Sequence, residues 1–126
     1  TEKAQREALI DEQKQALHKS LREFTKPILT WQTKKHLIRI DELADHQYRY
    51  AAWNRDQSIQ DKPSLVITGG TLSFDGSGGN HFYTFTNNGY RYVCHVTALG
   101  TEHSPSGLLE VFKNNVQILS EPVLSY

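Results

Sequence analysis

From Glu2 to Phe24 the chain contains neither Gly nor Pro, and apolar residues recur at Ile10, Leu17, Leu21, Phe24 and Ile28. Steps of seven, four, three and four put these residues on one face of an α-helix. The segment is dominated by Ala, Leu, Glu, Gln, Lys and Arg, all strong helix formers. The pattern predicts an N-terminal helix ending near Phe24 to Lys26, since Pro27 disfavours helical backbone in the residue before it. Such an apolar stripe has to dock on something. Before Ile10 the stripe thins to Ala4, Ala8 and Leu9, so the first two turns are expected to project into solvent or to serve as a tether. The same positions fit two heptads of a coiled coil, too few to favour that over packing on a sheet.

Beyond the helix the period shortens to that of strands. HLIRIDEL, His36 to Leu43, alternates loosely, and QYRYAAW, Gln47 to Trp53, places Tyr48 and Tyr50 on one side. A charged connection, NRDQSIQDKP, leads to SLVITGGTLSF, where Gly69-Gly70 predicts a two-residue turn between Leu65–Thr68 and Thr71–Phe74. In HFYTFTNNGYRYVCHV the pair Asn88-Gly89 is the strongest hairpin signal, because a type I′ turn needs both central residues at positive φ. Closure there sets Phe85 against Tyr92 and Tyr83 against Cys94. Asn114-Asn115 predicts a third turn within LLEVFKNNVQIL, and Pro122 marks the last strand as an edge or as finished.

The fold class expected is therefore α+β: an N-terminal helix over residues 1–26, packed on an antiparallel β meander over residues 27–126. Seven or eight short strands with turns at this spacing close into a small barrel or fold as a sandwich. The 126 residues suit one domain with a core of its own.

Charge refines the choice of partner. The 14 basic and 14 acidic residues cancel, which removes the electrostatic footprint of a nucleic-acid or anionic-membrane binder. Residues 1–62 carry 12 Lys/Arg and 10 Asp/Glu, whereas residues 63–126 carry two and four. The second half is thus built of uncharged polar and aromatic residues. Within the first half, KPILTWQTKKHLIR gathers positive charge around Trp31; it reads as a solvated linker, or as a site for an anionic partner. No run of 18 apolar residues spans a membrane. The chain holds no Met at any position, from which a start downstream of the natural start codon is expected, through a removed leader or an arbitrary boundary. An extracytoplasmic, periplasmic or secreted, setting is the expectation.

Candidate chemistry is sparse. The glycine-rich stretch FDGSGGNHFY, Phe74 to Tyr83, leads into a strand, whereas a phosphate loop leads into a helix whose amides hold the anion. Asp75, Ser77 and Asn80 offer oxygens, but the twelfth position of a calcium loop starting at Asp75 is Thr86 where a Glu is required. The stretch reads as a hairpin connection. Six histidines, His18, His36, His46, His81, His95 and His103, lack the paired spacing of zinc ligands. His81 and His95 lie on the two arms of one hairpin and are the pair most able to meet. Cys94, the only thiol, falls inside a strand, where burial keeps it inert. No Gly-x-Ser-x-Gly elbow is present, and Asp41, Glu42, Asp45 and Asp61 read as solvated surface. No cofactor and no metal are expected.

What remains is recognition. Tyrosines with asparagines make protein- and sugar-binding surfaces, and alternation turns Phe82, Thr84 and His95 outward if Tyr83, Phe85 and Cys94 face the core. The candidate binding residues are Phe82, His95, Asp75, Asn80 and Trp53, with the loops Asp75 to Asn80 and Gly100 to Gly107. They predict a non-catalytic binding or inhibitory module for a protein or glycan. The alternative is an assembly role in which the helix pairs with another chain to form a homo-oligomer; an enzyme with no sequence-visible site is third.

Overall fold

A computed structural model describes residues 1–76, 78–97 and 106–124. It contains one helix, α1 (Glu2–Ala16), a 3-10 turn at Lys19–Leu21, and eight strands: β1 (Lys26–Gln32), β2 (His36–Glu42), β3 (Tyr48–Asn54), β4 (Leu65–Phe74), β5 (His81–Asn87), β6 (Tyr90–Val96), β7 (Gly107–Lys113) and β8 (Val116–Pro122). All strands pair antiparallel in sequence order, so the α+β meander expected above is the fold, curled into a half-barrel.

The helix is shorter than its periodicity predicts. Thr1 caps it by accepting from the Ala4 amide, and it ends at Leu17, whose backbone is extended at φ −93 and ψ 155. None of its residues is buried. Leu17, Leu21 and Phe24, three members of the predicted stripe, are buried, yet they reach the sheet from the extended segment and the 3-10 turn that follow. The His18 amide donates to the Ile59 carbonyl. Packing three large side chains over the sheet is worth more, at roughly 1.5–3 kcal/mol each, than the few tenths per residue by which helix propensity favours continuing.

Two hairpins form as their turn residues dictate. Asn88 and Gly89 sit at φ 50 and 83, and Asn114 and Asn115 at φ 49 and 68. The first closes with Phe85 opposite Tyr92 and Tyr83 opposite Cys94. Gly69-Gly70 makes no turn, contrary to the sequence expectation. Strand β4 runs through it, and Gly69, at φ 77, bulges where the pairing of β3 shifts between Tyr48 and Tyr50. A Cβ on Gly70 would fall 2.2 Å from Cε1 of Phe85, so the second glycine is there for close approach. The kink carries β4 from pairing with β3 to pairing with β5 and bends the sheet.

KPILTWQ is also corrected: it is strand β1, not a linker, and Trp31 is 1% exposed. Its apolar alternation is interrupted by a bulge between Pro27 and Leu29, which hides the strand period. The concave face of the curl is the main core, with Trp31, Ile38, Ile40, Tyr50, Phe85 and Leu109 at its centre. At one end the first and last strands meet. The Leu124 amide donates to the Gln32 carbonyl, and the buried Glu121 carboxylate accepts from the Thr33 hydroxyl at 2.6 Å and from the Lys35 amide at 3.1 Å. Nδ1 of His36 lies 3.0 Å from the same carboxylate.

Candidate binding surface

The convex face of the sheet is divided. Over β2 and β3 it is covered: Leu17, Leu21 and Phe24 pack on Ala51 and Trp53. Trp53 is 0% exposed, and its indole N–H donates to the Asp61 carbonyl at 2.8 Å. It offers no surface to a ligand, which removes it from the candidate binding residues. Alternation in QYRYAAW could not reveal this, because the cover comes from the chain's other end.

Under the same cover lies a charge cluster that the sequence reading treats as surface. Asp41 is buried, and its Oδ2 accepts at 2.8 Å from Nε of Arg39 and at 2.8 Å from a terminal nitrogen of Arg49. Arg49 also donates to the carbonyls of Leu21 and Glu23, and Arg39 stacks on the Phe24 ring. Asp41 Oδ1 and Arg49 Nε have no hydrogen-bond partner among the described residues. Arg39 and Asp41 are two apart on one strand, so they share a face, and this spacing was the available signal. The arrangement fastens the N-terminal segment to the sheet and presents no open position for chemistry.

Over β5 to β7 the convex face is left uncovered by that segment. Tyr83, Phe85, Cys94, Leu109 and Val111 point into the core, so their neighbours point out. Phe82 and His95 are register partners, their rings 5.6 Å apart and inclined by 44°. Both are half-buried. Nε2 of His95 lies 2.6 Å from Oε1 of Glu110 on β7, so the carboxylate accepts from the ring N–H and fixes the imidazole against Phe82. Two outward positions along, Arg91 stacks on Phe112 at 4.5 Å. The outward aromatic pair proposed from alternation is thus brought together, with Glu110 as the partner alternation missed.

The Asp75 to Asn80 loop closes the adjoining β4–β5 hairpin. The Asp75 amide donates to the Asn80 carbonyl at 2.7 Å, and Gly76 and Gly79 sit at φ 75 and 85. It is a chain reversal, as predicted. Asp75 is exposed and Asn80 half-buried. His81 and His95 do not meet: His81 takes the core-side parity with Tyr83, and His95 faces out. No group of three or more metal-ligating side chains occurs among the described residues. Of the Gly100 to Gly107 loop, residues 100–105 lie outside the described residues. His103 lies there too.

At the far end of the sheet the two asparagine turns adjoin, with the Asn114 amide donating to the Gly89 carbonyl at 3.2 Å. Between them lies an open groove of about 360 Å³ lined by Asn88, Asn114 and Asn115 together with Arg91 and Phe112. Cys94 is fully buried, and burial pushes its thiol well above the usual range, which keeps it out of nucleophilic chemistry. No helix among the described residues is long and apolar enough to cross a membrane.

Comparison with family models, curated proteins and solved structures finds no match.

Proposed function

We propose that this protein is a non-catalytic binding or inhibitory module that meets a protein or glycan with the uncovered convex face of β5 to β7. The observation that carries the reading is the Phe82–His95 pair, held by Glu110 and left outside the N-terminal cover. A half-exposed aromatic fixed on a rigid strand contributes contact area at little entropic cost, which is how aromatic anchors act in recognition surfaces. The groove at the far end of the same strands adds amide donors and acceptors beside an aromatic ring, a chemistry suited to sugar hydroxyls and peptide groups alike. Asp75 and Asn80 stand at the end of the same face and would form its rim. A glycan array and an affinity capture, each run with wild type and with Phe82→Ala, test the reading. Ligands retained by wild type and lost by Phe82→Ala support it; identical ligand sets contradict it.

A second reading is assembly through α1. It is favoured by a helix in which no residue is fully buried and Leu9 is 57% exposed. Solution mass with and without residues 1–9 separates the two, since a monomer in both forms excludes the helix as an oligomerisation device.

A further inference from the structure

The turn end of β5 to β8 collects the basic charge of the second half of the chain. Residues 63–126 hold two Lys/Arg, Arg91 and Lys113, and the β6–β7 register places both there, Arg91 opposite Phe112 and Tyr90 opposite Lys113. The Lys113 ammonium stands 5.3 Å over the Tyr90 ring. Arg91 and Phe112 occupy the outward row of the convex face, beside Thr86, and line the open groove of about 360 Å³ between the two asparagine turns. That volume lies at the lower end of the range for small-ligand clefts, roughly 300–1,000 Å³.

The fold leaves the Arg91 guanidinium without a charge partner. It rests on the Phe112 ring at 4.5 Å and makes no hydrogen bond or ion pair among the described residues, whereas Arg39 and Arg49 share Asp41. Glu110, the acid on the same face of β7, is held by His95. Among the described residues no Asp or Glu lines the groove. A guanidinium with its face on a ring keeps its N–H edge for a planar acceptor, and its fork matches the two oxygens of a carboxylate. Around it the lining is neutral: the side-chain amides of Asn88, Asn114 and Asn115, all exposed, each offer donors and an acceptor. One cation among amides suits a ligand with one carboxylate and several hydroxyls.

We propose that this groove binds the carboxylate of an acidic sugar, a uronic acid residue of a glycan, with Arg91 pairing the carboxylate in plane and the asparagine amides meeting the ring hydroxyls. The inference rests on the recognition reading above, which makes the convex face of β5 to β7 the contact surface, and names the chemistry of its turn end. It does not pass through Phe82. Phe82 and Thr86, the register partner of Arg91, both lie on β5, separated by roughly 13 Å of strand at about 3.3 Å per residue, so a single sugar bound at Arg91 does not reach Phe82.

The test titrates the ¹⁵N-labelled full chain with the methyl glycosides of glucuronic acid and of glucose, with N-acetylalanine and with sulfate, at constant ionic strength, following amide shifts. The glucuronide is expected to saturate, with shifts centred on Asn88 to Arg91 and Phe112 to Asn115. It should bind about fivefold more tightly than the glucoside, since a charge-assisted pair outweighs a neutral one but is weakened by water in an open groove. Arg91→Lys, at an exposed position, keeps the charge and loses the fork, and should erase that preference; Phe82→Ala should leave it unchanged. Shifts that do not saturate, equal affinity for the glucoside, or a preference that survives Arg91→Lys or vanishes in Phe82→Ala overturn the proposal. So does sulfate or N-acetylalanine binding as tightly as the glucuronide, which would mean a site for any anion or for a peptide carboxylate. Such a failure leaves the recognition reading standing, because that reading depends on the ligands lost in Phe82→Ala.

Discussion

Asp41 and Arg49 face each other across β2 and β3, and one carboxylate oxygen of Asp41 takes a 2.8 Å hydrogen bond from the Arg49 guanidinium. The pair is buried only because Leu17, Leu21 and Phe24 lie over the same face, and Arg49 holds that cover by donating to the Leu21 carbonyl at 3.0 Å. The relationship divides the convex face into a closed half, over β2 and β3, and an uncovered half carrying Phe82 and His95.

Replacing Asp41 with Ala leaves two guanidinium groups buried without their carboxylate. Breaking a buried pair in this way costs about 3–5 kcal/mol. Urea unfolding of Asp41→Ala should show a loss in that range, and amide exchange across residues 17–24 should accelerate. A loss under about 1 kcal/mol would mean that water reaches the cluster.

Gly70→Ala should destabilise by about 1–3 kcal/mol or more, the usual cost of overpacking. The added Cβ meets the Phe85 ring at 2.2 Å, and that ring is 1% exposed with no room to withdraw. Gly76, whose Cβ would meet nothing within 4 Å, is the control for space, although its φ of 75 adds backbone strain of its own. Equal unfolding midpoints for Gly70→Ala and wild type would contradict the close approach.

Stability should fall on the alkaline side. Burial raises the pKa of the Tyr50 hydroxyl and of the Cys94 thiol above their ordinary values. Above about pH 9 for a thiol and pH 10 for a tyrosine, the unfolded chain gives up protons that the folded chain retains. The unfolded state then binds fewer protons, and unfolding free energy declines with pH by up to about 1.4 kcal/mol per unit for each such group. Below those values the contribution is fully present. Unfolding midpoints from pH 8 to 11 should drop for wild type and drop less steeply for Tyr50→Phe. Parallel curves would show that Tyr50 ionises as freely folded as unfolded.

Deleting residues 1–9 should change stability by less than about 1 kcal/mol, in the range of surface changes, since α1 buries none of its residues. Leu21→Ala, by contrast, removes a side chain that is 1% exposed and should cost about 2–5 kcal/mol. Thermal unfolding of both variants checks the division between a projecting helix and a docked segment.

Much of this fold was legible in short-range signals. Asn88-Gly89 and Asn114-Asn115 take the positive φ that their turn type requires, and those corners set the register that buries Tyr83 and Cys94. Gly69-Gly70 misled because the same conformational freedom serves a bulge as well as a turn, and only Phe85, fifteen residues away, decides between them. The helix end at Ala16 was hidden for a similar reason: Leu17, Leu21 and Phe24 keep a helical spacing while their backbone is bent to reach the sheet. Phe82 and His95 could be paired from alternation and one turn. Trp53 and Asp41 could not be placed, because their burial depends on the segment from Leu17 to Phe24, well upstream of both.

The account rests on Phe82 as the half-exposed anchor of a recognition face, and one titration tests it most directly: the affinity of Phe82→Ala for a purified ligand of the wild-type chain, measured beside Leu9→Ala. Truncating a central anchor costs 2 kcal/mol or more, a loss of about thirtyfold. The account predicts such a loss for Phe82→Ala and an unchanged affinity for Leu9→Ala. Equal affinities for wild type and Phe82→Ala, with both proteins folded, would contradict it.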